Sequence, residues 1–137
     1  MAVWSSPVPT ERSAPAQISK EQVAEHVRRY YRLVDANDVA GLLDLFTENA
    51  EYARPGYDVF SGRRELHTFY SGTRVIENGR HTLRHMVVEE REVAVHGEFN
   101  GTLRDGSKVS LRFADFFRLD EKGLFRRRDT FFFSPMV

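Results

Sequence analysis

Three ionisable residues in the C-terminal half, His96, Asp115 and Arg128, fall where strand pairing brings side chains abreast. A two-residue turn at Asp105-Gly106 sets Arg104 opposite Ser107 and, counting back, His96 opposite Asp115. With Glu121 and Lys122 as the next tip, Asp120 pairs with Gly123 and Arg128 meets Asp115 from the other side. An imidazole and a carboxylate in one row make an acid/base pair, because histidine titrates near neutral pH. Arg128 would favour the ionised form of Asp115, making it an acceptor or a base. Asp115 with Arg128 is equally readable as a cross-strand ion pair that fixes register. A three-residue loop slips the register by one and dissolves the row.

Other chemistry is poorly provided for. His81 and His85 resemble a ligand pair, but four residues along a strand separate side chains by roughly 13 Å, too far for one metal ion. With no cysteine in the chain, no metal site, thiolate nucleophile or disulfide is expected. Arg126-Arg127-Arg128 alternates across a strand and makes no continuous phosphate track. No glycine-rich phosphate loop and no serine elbow is present, which argues against nucleotide use and covalent acyl transfer.

The elements that must position these residues divide into two kinds. Ser19 and Gln22 have capping-box spacing, and Val23, Val27, Tyr30, Tyr31 and Val34 recur at helical intervals up to Asn37. A second helix is predicted over 39–47 on Leu42, Leu43, Leu45 and Phe46, ended by Arg54-Pro55-Gly56, and a third over 62–70. After Asn78-Gly79 the pattern becomes alternation, with turns at Asp105-Gly106 and 120–123, so the class is α+β. Counting in twos from Asp115 collects Leu111, Phe113, Phe117, His96, Glu98, Asn100, Thr130 and Phe132 on one face. The other face holds Val93, Val95, Phe99, Phe116, Phe131 and Phe133, interrupted by Arg112 and Arg118. That second face is too apolar to be simply wet, and is either a dimer contact or, by alternation alone, the core.

At 137 residues and 41% hydrophobic content the chain fits one domain with one core. Twenty basic against twenty acidic residues leave no net field, so neither nucleic acid nor a membrane surface is an expected partner. Residues 1–17 carry three prolines and no apolar run, and read as a flexible tail in which Trp4 is a lone aromatic, ahead of a domain over 18–137. A cytoplasmic setting is the default.

The chain resembles the nuclear transport factor 2-like superfamily, in its SnoaL-like and ketosteroid isomerase-like branch. The resemblance rests on Val27-Arg28-Arg29-Tyr30 with Asp35-Ala36-Asn37-Asp38, on Leu45-Phe46-Thr47-Glu48-Asn49-Ala50, and on Tyr52-Ala53-Arg54-Pro55-Gly56. Gly62-Arg63, Phe69-Tyr70 and Arg112-Phe113-Ala114-Asp115-Phe116-Phe117-Arg118 complete it. It implies a cone-shaped fold in which N-terminal helices pack on a strongly curved, mainly antiparallel sheet around a pocket that Asp115 faces. By the same resemblance Tyr30 and Asp115 stand where the isomerases keep oxyanion donors, the aspartic acid protonated; that protonated acid is a worked case in physical enzymology. Arg54 stands where they keep the proton-shuttling aspartate, and a guanidinium cannot be that base. The candidate catalytic residues are therefore Tyr30, Arg54, Asp115 and His96. Tyr52, His81, Glu98, Phe113, Phe117, Arg128 and Phe132 are candidate substrate contacts. What the resemblance implies is a cofactor-independent enzyme on an apolar oxygenated small molecule such as a polyketide intermediate, catalysing cyclisation, isomerisation or hydration/dehydration, in a homodimer joined by the outer sheet face. The alternatives are a non-catalytic binding or dimerisation module and an epoxide hydrolase or epoxide-opening cyclase.

Overall fold

The computed structural model describes residues 18–134; the tail reading of residues 1–17, with Trp4, and the last three residues of the expected domain lie outside them. Helix α1 (Lys20–Asp35) begins at the expected capping box: Gln22 N–H donates to Ser19 Oγ at 3.1 Å and Ser19 N–H to Gln22 Oε1 at 2.8 Å. Its buried stripe is Val23, Val27, Tyr30, Tyr31 and Val34. Helix α2 (Val39–Leu43) is shorter than its apolar run suggested, because Phe46 is recruited into strand β1 (Phe46–Ala53). Phe125 N–H donates to Leu45 O at 2.7 Å, so pairing with a distant strand overrides local helix propensity. Strand β2 (Phe60–Ser61) leads into α3 (Gly62–Thr68), whose last turn widens to a π-helical turn over Phe69–Thr73. Strands β3 (Ile76–Glu89), β4 (Glu92–Leu103), β5 (Lys108–Leu119) and β6 (Phe125–Phe132) follow as a meander, and β3 runs straight through Asn78-Gly79.

The six strands form one curved, unclosed sheet in the order β2-β1-β6-β5-β4-β3, antiparallel except where β1 runs parallel to β6. The α1 stripe, α3 and the π-turn pack on one face, where the core is built. No helix among the described residues is long and apolar enough to cross a membrane.

Both hairpin registers differ from the sequence expectation, and both loops contribute in the same way. Each loop has three residues ending in a left-handed glycine, Gly106 at φ +89° and Gly123 at φ +90°. Gly106 N–H donates to Leu103 O and Gly123 N–H to Asp120 O, the pattern of a type I turn closed by a glycine bulge. At the first hairpin the slip is one residue, so Asp115 pairs with Val95 and His96 with Ala114. A one-residue slip moves a whole strand's side chains to the other face, and His96 and Glu98 therefore lie outside while Val93, Val95 and Phe99 lie inside. At the second hairpin the loop adds one residue and an irregularity between Arg118 and Leu119 adds another. The two shifts restore parity: Asp115 pairs with Thr130, and Arg128 stays on the Asp115 face one diagonal step away. Neither of the two faces counted from the sequence survives whole, and the outer one keeps Phe116, Phe131 and Phe133 exposed.

Strand β3 carries a comparable device. An irregularity between Leu83 and His85 leaves His81 opposite Phe99 on the inner face and His85 opposite His96 on the outer one. Opposite Phe113, position 97 admits only glycine: a Cβ there would lie 2.4 Å from Thr82 O and 2.9 Å from the Phe113 ring.

Candidate functional site

Between α1, the π-turn and the inner sheet face lies a cavity of about 20 Å³, room for roughly one water. Its apolar wall is Val34, Ile76, Phe99, Leu111, Phe113 and Phe132. Its polar wall is Tyr30, Tyr70, Thr130, His81 and the three arginines Arg54, Arg74 and Arg128. No aspartate or glutamate among the described residues lines it.

Behind this wall sits Asp115, fully buried, with three donors on its two oxygens. Oδ2 accepts from the Tyr31 hydroxyl and, at 2.8 Å, from Arg128 Nη2; Oδ1 accepts from Thr130 Oγ1. Burial alone would push its pKa up, but the Arg128 charge and the three hydrogen bonds outweigh burial and hold it below the usual carboxylate value. Asp115 is thus an ionised anchor, and the protonated-acid role implied by the isomerase resemblance does not match it. Arg128 is held through both of its terminal nitrogens. Nη1 donates to the Tyr30 hydroxyl and, at 3.2 Å, to the Tyr70 hydroxyl, which themselves hydrogen-bond to each other. The guanidinium centre lies 4.6 Å from both the Tyr30 and the Tyr52 ring centroids, a cation–π seat on either side. Burial raises the pKa of Tyr30 far above its ordinary value, so its hydroxyl keeps its proton. A second strand of contacts runs from the rim inward. Arg54 Nη1 donates to the Tyr52 hydroxyl at 2.7 Å, and Tyr52 lies 3.2 Å from Thr130 Oγ1, which holds Asp115.

Opposite this cluster, His81 is tied to the last residue of α1. Asp35 Oδ1 lies 2.6 Å from His81 Nδ1, and Asp35 Oδ2 accepts from the His81 backbone N–H at 2.9 Å. A carboxylate only accepts, so Nδ1 carries the proton of the neutral ring and Nε2 keeps its lone pair. Burial lowers the imidazole pKa by more than Asp35 raises it, so the ring is uncharged at neutral pH. Phe99 and Phe113, with ring centroids 4.7 and 5.3 Å from His81, pack around it in the cavity wall. A carboxylate-oriented neutral base thus lines the same cavity as three guanidinium groups and the Tyr30 and Tyr70 hydroxyls, a set that suits abstraction of a proton and stabilisation of the oxygen anion that results.

Of the residues singled out in the sequence, Tyr30, Arg54, His81, Phe113, Arg128 and Phe132 meet in the cavity wall. Asp115, Tyr52 and Phe117 are buried just behind it. His96 and Glu98 are corrections: the one-residue slip puts both on the outer face, where Glu98 pairs with Arg84 at 3.1 Å and His96 Nε2 lies 3.3 Å from Arg112 Nη2. Asp35, Tyr31, Tyr70 and Arg74 were missed as site residues. Tyr31 lies in the apolar stripe of α1, which was a usable signal for it, and Asp35 had none. Arg74 follows the π-turn and has no sequence signal.

Residues 27–128 match the pattern of the SnoaL-like domain. Among curated proteins no sequence matches this chain. Among solved structures, SalBIII, an epoxide hydrolase/cyclase-like enzyme with a role in pyran ring formation in the polyether salinomycin, superposes with a TM-score of 0.75 at 24% identity, over 83% of this chain and 92% of that one. TerC, co-crystallised with polyporic acid, gives 0.70 at 20% identity over 80% and 90%. An NTF2-like protein of unknown function from Burkholderia pseudomallei gives 0.71 at 17% identity over 84% and 92%. At these identities the likeness is one of fold.

Proposed function

We infer from its cavity that this chain, which belongs to the SnoaL-like domain family, is a small-molecule enzyme of the polyketide-tailoring kind that moves a proton with His81. The observation that carries the reading is the Asp35–His81 pair, set in the same cavity wall as Arg54, Arg74, Arg128 and the Tyr30 hydroxyl. In the proposed step His81 Nε2 takes a proton from carbon next to a carbonyl, or from a hydroxyl. The electron pair left behind settles on oxygen held by the cations; that oxygen or its conjugate carbon then either adds to a carbonyl or epoxide carbon of the same molecule, whose C=O π bond or C–O bond breaks as its oxygen takes the proton back from His81, or is itself reprotonated by His81 at a new place. Cyclisation and isomerisation differ only in which of these follows. Asp115 takes no proton here; it holds Arg128, and Arg128 holds the two tyrosine hydroxyls. The role of SalBIII in ring formation supports a cyclase among these outcomes.

The step is tested without the natural substrate by following deuterium uptake at C1 of 2-tetralone in D₂O by NMR. The intact protein is expected to accelerate exchange, and His81→Gln to abolish about a hundredfold or more of that acceleration, as loss of a general base does. Acceleration that survives His81→Gln would remove His81 from the chemistry, and no acceleration by the intact protein would leave a binding module as the better reading.

A further inference from the structure

Among the described residues the wall of the cavity contains three guanidinium groups and no carboxylate. One charge is answered, since Arg128 pairs with Asp115 at 2.8 Å behind the wall. Arg74 is different. It is only 7% exposed, and no aspartate or glutamate among the described residues forms an ion pair with it. Its backbone is fixed rather than loose: its N–H donates to Phe69 O at 2.9 Å, and its carbonyl accepts from Arg104 Nε at 2.7 Å. Among the described residues a buried cation thus lines the cavity with no counter-charge. Arg128 adds a second unmet demand, because its Nε is buried with no hydrogen-bond acceptor. Buried donors and charges left so are costly, and a site that keeps them is complementary to something that arrives from outside.

We propose that the ligand of this cavity is an apolar molecule bearing one anionic oxygen group, a carboxylate or an ionised enol, seated against Arg74. The apolar body would lie along Val34, Ile76, Phe99, Leu111 and Phe113. Burial lowers the pKa of Arg74, the direction expected of a cation without its anion. The inference rests on the cavity being a ligand site, and not on proton transfer at His81.

The test compares benzoate and 2-naphthoate with their neutral amides, by calorimetry and by the shift in melting temperature of the unmodified protein. Each acid is expected to bind at least about tenfold more tightly than its amide, a difference of about 1.4 kcal/mol. Arg74→Met keeps the apolar stem, and should melt no lower than the parent while losing the preference for the acids. Amides that bind as well as the acids, or an acid preference that survives Arg74→Met, would overturn the inference and leave the ligand site standing. If neither acid nor amide binds, both the inference and the ligand site fall. Acid-selective binding that persists in His81→Gln with exchange abolished leaves both standing. Acid-selective binding with no exchange in any form of the protein keeps the inference and removes the enzyme. The acid–amide comparison needs no variant, and so decides the matter even where Arg74→Met does not fold.

Discussion

Asp35 and His81 stand 46 positions apart in the chain and meet twice, ring nitrogen to one carboxylate oxygen at 2.6 Å and backbone N–H to the other at 2.9 Å. The double contact joins the C-terminus of α1 to β3, and it fixes both the tautomer and the tilt of a ring in the cavity wall. The backbone contact holds the carboxylate in place, and the held carboxylate orients the ring through Nδ1.

Replacing the carboxylate by an amide removes that control. Asp35→Asn keeps the shape, but an amide donor can turn the ring so that Nε2 carries the proton. Exchange into 2-tetralone is expected to fall by about a hundredfold while the far-ultraviolet circular dichroism is unchanged, by analogy with other triads whose orienting carboxylate is lost. A fall of less than about twofold would show that the pair only braces the helix.

The pH profile carries the sign of the His81 shift. Burial moves its pKa below the ordinary value of about 6.5, so the base is already free at neutral pH. Exchange activity should therefore be flat above neutrality and decline only at acid pH, with a midpoint under about 6.5. Because Asp35 acts to raise that pKa, Asp35→Asn should move the midpoint lower still.

Asp115 is expected to matter for stability. Asp115→Asn leaves Arg128 charged and buried without its counter-ion, which costs about 3 kcal/mol or more. Urea unfolding measures this directly. Since the folded pKa lies below the unfolded one, the Asp115 contribution is complete above roughly pH 4 and is lost as pH falls through the lowered folded value. Acid unfolding of the Asn variant should accordingly be shallower than that of the parent over this range.

Much of the fold was legible in the sequence because it is written in local chemistry. The Ser19 capping box, the stripe from Val23 to Val34 and the strand alternation all correspond to observed elements. What could not be read was whatever depends on counting across a turn. Asp105-Gly106 has the composition of a two-residue turn, yet Gly106 serves as the third residue of a longer loop. That one residue removed His96 from the site. Arg128 stayed only because a second irregularity, beyond the Glu121-Lys122-Gly123 loop, cancelled the first. Asp35 closes α1 and gives no local sign that it meets a histidine on β3, since long-range contacts of this kind leave no periodicity.

The two loop glycines allow that conclusion to be checked. Around Gly106 a Cβ would meet nothing within 4 Å, so Gly106→Ala tests the left-handed backbone alone and should cost about 1 kcal/mol. At Gly123 a Cβ would lie 2.5 Å from both the His26 ring and Ile18, so Gly123→Ala should cost measurably more. Equal losses in thermal unfolding would mean that the second loop yields more easily than its packing suggests.

Nitrogen-15 NMR of the imidazoles, with the His81 signals assigned by their absence in His81→Gln, reads the state of the proposed base itself. The structure predicts a neutral ring at pH 7, protonated at Nδ1 and bare at Nε2, that takes up its second proton only below about pH 6.5. A His81 that is cationic at pH 7, or that carries its proton on Nε2, would contradict it.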